Sequence, residues 1–91
     1  MAFTIYCKNI GGRKFDRYYQ NWENAKNQLE SDLSDLVNSG CKITSHRDRM
    51  NVAKGWYDYD YSLITDDGEV AELSLIEGYF ADWVSVVIEC L

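Results

Sequence analysis

Proline is absent from this 91-residue sequence. That excludes proline-rich recognition segments and slow prolyl isomerisation during folding. No apolar run approaches the ~20 residues needed to cross a bilayer, and "MAFTIYCKNI" places no basic region ahead of its short apolar stretch, so neither a membrane span nor a secretory leader is expected. Cysteine is scarce. Cys7, Cys41 and Cys90 are odd in number and widely spaced, without a C-x-x-C pair, which argues against a disulfide framework or a zinc knuckle. Three free thiols and a reducing, cytoplasmic location are expected.

Cations are missing from one whole region. All nine Lys and Arg lie in residues 1–54, where six acidic residues oppose them and leave +3; residues 55–91 hold nine Asp and Glu and no Lys or Arg, leaving −9 and a total of −6. A field of that sign repels nucleic acid and steers basic partners.

What remains is ample for folding. Apolar residues at 46% and aromatics at 14% are too rich for a disordered chain. A chain of this length forms one domain that buries somewhat over ~60% of the surface its unfolded form exposes.

The pattern begins with "AFTIYCK", which alternates Phe3, Ile5 and Cys7 against Thr4, Tyr6 and Lys8, as a strand does. "NIGG" breaks it, and "RKFDRYY" suits either a short strand or a loop. From Asn21 the period becomes helical: Trp22, Ala25, Leu29, Leu33, Leu36 and Val37 form a stripe, with Asn21 as N-cap and Gly40 as stop. The spacing predicts a helix over 21–39, with Glu23, Asn24, Asn27, Glu30, Ser34 and Asp35 outward and Lys26 within reach of Glu23 or Glu30. "CKITSH" resumes strand character, and "RDRMNVAKG" reads as a basic, irregular connection.

In "GWYDYDYSLITDDGEVAEL", Trp56, Asp58, Asp60 and Ser62 share one face, and Tyr57, Tyr59, Tyr61 and Leu63 share the other. "TDDGE" has the composition of a tight turn with Gly68 at positive φ, and the returning strand sets Ala71, Leu73 and Leu75 together. The tyrosine and leucine face matches the helix stripe, so it goes in. Asp58, Asp60 and Glu72 go out, because burying carboxylates without partners costs several kcal/mol each, and the second half supplies no cation. "GYFADWVSVVIECL" has a helical stripe but β-branched residues, and its form stays open between helix and strand. The expected fold is α+β: a mainly antiparallel sheet of three to five strands packed on one long helix, with a C-terminal helix or strand closing the core.

Chemical motifs are weak. "GGRK", with Arg17 nearby, could form an anion-binding nest ahead of a helix, but it lacks the spacing of a P-loop. His46, with Asp48 two residues on, could form a dyad, yet no nucleophile signature accompanies it. The carboxylates around "DDGE" lack the frame of a calcium loop, and no metal or other cofactor is expected. Arg47, Arg49, Lys54 and Trp56 could touch single-stranded nucleic acid by charge and stacking. Trp56, Asp58, Asp60, Asp66, Asp67, Glu69 and Glu72 form the sharper candidate, an acidic ribbon able to imitate spaced phosphates and occupy a basic groove.

In size, acidity and want of a catalytic set the chain is similar in kind to the small inhibitors encoded by phages and mobile elements, anti-CRISPR proteins among them; the likeness is one of composition. The leading expectation is a non-enzymatic protein-binding module, one form of which is an inhibitor of a nucleic-acid-handling enzyme, acting as monomer or homodimer on a protein with a basic surface. The alternatives are a nucleic-acid-binding accessory using the basic loop 47–56, which the charge disfavours, and a small enzyme using His46.

Overall fold

The computed structural model describes residues 2–51 and 56–79. Five strands and one helix follow in the order β1 (Ala2–Ile10), β2 (Arg13–Tyr19), α1 (Trp22–Asn38), β3 (Lys42–Asn51), β4 (Trp56–Ile64) and β5 (Val70–Tyr79). The strands form one antiparallel sheet in the order β2-β1-β5-β4-β3. The fold is therefore α+β, and α1 carries the chain from one sheet edge to the other.

Local chemistry accounts for the punctuation. Gly11 and Gly12, at φ 58 and 83, form the two-residue turn between Ile10 and Arg13. Both central residues of that turn need positive φ, which glycine alone adopts without cost. "GGRK" is thus a hairpin that continues as a strand, and no helix follows it. "RKFDRYY" is that strand.

At the helix start Asn21 Oδ1 accepts the backbone N–H of Asn24 at 3.2 Å. At its end the N–H of Gly40 bonds Val37 O, and that of Cys41 bonds Leu36 O. This pattern satisfies the last carbonyls and reverses the chain toward β3.

The strand register decides the two faces. Toward α1 lie Tyr59, Leu63, Ala71, Leu73, Leu75 and Tyr6, and they form the core with Ala25, Leu29 and Cys41. Trp22, Leu33, Leu36, Tyr57 and Tyr61 pack around it half-buried, whereas Val37 at the end of the stripe is exposed. The tyrosine and leucine face is indeed the inner one. Lys26 lies over the Tyr59 ring, 5.1 Å from its centroid, and Glu30 accepts the Tyr59 hydroxyl at 3.3 Å. Ile5 is buried on the opposite face, as the register with Ile76 requires.

Three expectations change. The basic connection is largely strand, since β3 runs on through Arg47 and Arg49 to Asn51; cross-strand pairing with β4 extends it where the sequence shows no apolar alternation. Asp60 lies on the outer face but is only 7% exposed, because Arg47 arrives from β3 as the cation that the second half of the chain lacks. The third concerns sulfur. Cys41 is a buried free thiol, but Cys7 is disulfide-bonded, so the expectation of three free thiols fails there. Spacing along a chain carries no information about cysteines that meet through the fold. A chain with a disulfide at Cys7 does not call for a reducing compartment.

Gly78 and Tyr79 belong to β5, while the helix-or-strand question over 80–91 lies outside the described residues, as do Lys54 and Cys90. Among the described residues no helix is long and apolar enough to cross a membrane.

Candidate interaction surface

The register turns the outer face of the sheet into rows. One row runs Arg47, Asp60, Ser74, Cys7 and Asp16; the next runs Arg49, Asp58, Ile76, Ile5 and Tyr18; a third includes Ser62, Glu72, Asn9 and Lys14. Cations therefore stand on both edge strands, Arg47 and Arg49 on β3 and Lys14 on β2 with Asp16, while Asp58 and Asp60 lie on β4 and Glu72 on β5. The Asp60 hydrogen bond and charge push the Arg47 guanidinium pKa above its ordinary value, with Asp58 and Glu72 adding to the effect and partial burial opposing it. Of the seven residues of the acidic ribbon, Asp60 is thus engaged inside the protein. Glu72 is exposed. The Trp56 side chain lies outside the described residues.

Asp66, Asp67 and Glu69 occupy the β4–β5 turn, and all are exposed. The turn is fixed from within: Thr65 N–H bonds Glu69 O at 2.9 Å, Gly68 N–H bonds Thr65 O at 3.0 Å, and Glu69 N–H bonds Thr65 Oγ1 at 2.9 Å. The Thr65 hydroxyl in turn donates to Asp67. Gly68 has φ 85, as expected for this position.

Asp66 and Glu69 lean on neighbouring turns. A Cβ placed on Gly40 would meet Asp66 Oδ2 at 3.0 Å, and one placed on Gly11 would meet Glu69 Oε2 at 2.7 Å. Gly11 also donates its N–H to Val70 O at 3.1 Å. The β1–β2 turn, the β4–β5 turn and the C-terminus of α1 are therefore locked together at one end of the molecule. The last turn of α1 holds no basic residue, so the partial negative charge of its carbonyls adds to the carboxylates. Arg13 and Lys42 stand at the same end on the two outer strands.

The alternative basic site is less open than its composition suggests. Arg47 is spent on Asp60, and Arg49 faces Asp58 in register. His46 has contacts of another kind. Its Nδ1 lies 2.9 Å from Asp60 O, its ring stacks on Tyr61 at 4.0 Å, and it meets Tyr59 edge-on at 5.1 Å. Among the described residues no group of three or more His, Cys, Asp or Glu is arranged to hold a metal ion.

One site escaped the sequence reading. A groove of about 340 Å3 runs between the β1–β2 hairpin and α1, lined by Tyr6, Lys8, Phe15, Arg17, Tyr19 and Asp32 among others. Its signal was present in "RKFDRYY": once that segment is a strand, Phe15, Arg17 and Tyr19 share a face. No family model, curated protein or solved structure matches this chain.

Proposed function

We propose that the chain is a non-enzymatic protein-binding module that docks a basic partner surface through its acidic end, and that a nucleic-acid-handling enzyme is the class of partner it inhibits. The observation that supports this reading is the rigid β4–β5 turn: Asp66, Asp67 and Glu69 are exposed on a hydrogen-bonded frame beside the C-terminus of α1, whose last turn holds no basic residue. Ordered carboxylates of one sign lose little entropy on docking and steer a cationic partner from a distance. Glu72 continues the negative surface along β5, whereas Asp60 serves the fold with Arg47 and Asp58 faces Arg49 across the strands.

The reading is tested by parallel pull-downs from lysate with the wild-type chain and with Asp66→Lys/Asp67→Lys. A basic protein held by the wild type at low salt, and lost both at 1 M salt and with the double variant, is the expected result. Identical capture by both chains would overturn it.

A further inference from the structure

The groove beside β2 has features that the acidic end does not explain. Its floor contains the Tyr19 hydroxyl, which is buried without a hydrogen-bond partner. A buried donor left unsatisfied costs ~1–3 kcal/mol, so such a group marks a place where something else belongs. The Arg17 guanidinium lies over the same ring, 5.1 Å from its centroid. Lys8 stands 5.6 Å from the centroid of the exposed Phe15 ring.

Among the described residues, Asp32 of α1 is the acidic side chain that shares the inner face of the groove, and it is already satisfied. It accepts the Tyr6 hydroxyl at 2.7 Å and the Gln28 amide at 3.1 Å, and Lys8 lies 3.6 Å away. Asp16 borders the groove, but its register with Cys7 sets it on the opposite face. The donors left over, Arg17 and Tyr19 Oη, call for an anion. Among the described residues, the strand that carries them is one of the two edges of the sheet, exposed from Arg13 through Tyr18, with three cations against one carboxylate. An edge strand offers a row of backbone N–H and C=O groups to an added strand.

We infer that β2 and the groove behind it bind an extended acidic peptide segment as a sixth strand, with one of its carboxylates seated between the Arg17 guanidinium and the Tyr19 hydroxyl. Strand alternation sets every second side chain of the peptide on the groove face, where its carboxylates meet Arg17 and Arg13, while the side chains between them turn to the other face. A peptide fits better than a nucleic acid, because only a peptide uses the backbone row of the edge strand.

The test uses fluorescence anisotropy with a labelled ten-residue peptide of alternating glutamate and valine, beside its lysine counterpart and a ten-nucleotide single-stranded DNA. The acidic peptide should bind and the lysine peptide should not. Arg17→Ala should weaken binding at least about tenfold, from the loss of a charge-assisted hydrogen bond, and Lys14→Ala, which removes the same charge from the other face, should weaken it less. Tyr19→Phe separates binding from folding: it should weaken the peptide severalfold without lowering the melting temperature, since it deletes a hydroxyl that has no partner in the free protein. Equal binding of both peptides, tighter binding of the DNA, or acidic-peptide affinity unmoved by Arg17→Ala and Tyr19→Phe would overturn the inference. None of these variants touches Asp66, Asp67 or Glu69, so the two sites fail or succeed separately.

Discussion

Arg47 and Asp60 meet across β3 and β4, with Nε donating to Oδ1 at 3.2 Å and Nη2 at 3.1 Å from Oδ2. The pair is lopsided, since the arginine side chain is 56% exposed and the aspartate side chain 10%. Most of the desolvation therefore falls on the carboxylate. Arg47→Ala strands a buried charge and should cost about 1–3 kcal/mol, between the values for exposed and fully buried pairs. Asp60→Asn leaves a cation that reaches water and should cost less. Urea unfolding of both variants checks the order; a costlier Asp60→Asn would contradict it.

Two leucines of the helix stripe should separate in the same assay. Leu29 is fully buried and should lose ~2–5 kcal/mol as Leu29→Ala. Leu33 only packs against the core from its margin, so Leu33→Ala should lose about 1–2 kcal/mol. Equal losses would place the helix differently on the sheet.

Tyr6 and Tyr59 set an alkaline limit. Burial first, and then Asp32, raises the pKa of Tyr6; burial first, and then Tyr61 and Glu30, raises that of Tyr59. For an acid whose folded value is raised, the stabilisation is complete below the unfolded value near pH ~10. It is lost as pH climbs from there toward the folded values, at ~1.4 kcal/mol per pH unit for each tyrosine. Urea midpoints between pH 9 and 11.5 should fall steeply for the wild type and less steeply for Tyr6→Phe/Tyr59→Phe. Parallel curves would show that neither hydroxyl withholds its proton.

The cysteines give a direct count. With Cys7 disulfide-bonded and Cys41 free, a thiol titration in denaturant without reductant should find fewer than three thiols, and reduction should restore three. Cys41 should react only after unfolding, because it is buried. Three thiols before reduction would remove the disulfide.

The helix was legible because Asn21, the leucine spacing and Gly40 all state the same boundaries within a few residues of one another. The inner face of β4 and β5 was legible for a similar reason: strict alternation fixes sides. What stayed hidden depends on neighbours distant in sequence. Arg47 and Asp60 are thirteen positions apart, and no local pattern in "RDRM" announces a strand whose pairing comes from β4. The groove required β2 to be an edge strand beside α1, which only the order β2-β1-β5-β4-β3 reveals.

The acidic end makes the most specific kinetic claim. Asp66, Asp67 and Glu69 are exposed, their backbone is held by Thr65, and Glu72 lies on the adjoining strand. If they dock in a basic groove, the long-range part of the attraction should govern encounter, and association should slow as the Debye length shrinks from ~10 Å at 0.1 M salt to ~3 Å at 1 M. Asp66→Lys/Asp67→Lys should lower the association rate about tenfold or more at low salt, with dissociation changing less, because steering acts mainly before contact. Asp66→Lys also removes a carboxylate that lies against Gly40, so its fold is checked separately; an exposed turn residue should shift stability by no more than about half a kcal/mol. Asp60→Asn is the internal control: it deletes a charge of the same sign that Arg47 already offsets, and should alter association little. Surface plasmon resonance of the three chains against the captured partner at two salt concentrations reads all of this. Association rates insensitive to salt and to the double reversal would assign recognition to a surface other than the β4–β5 turn.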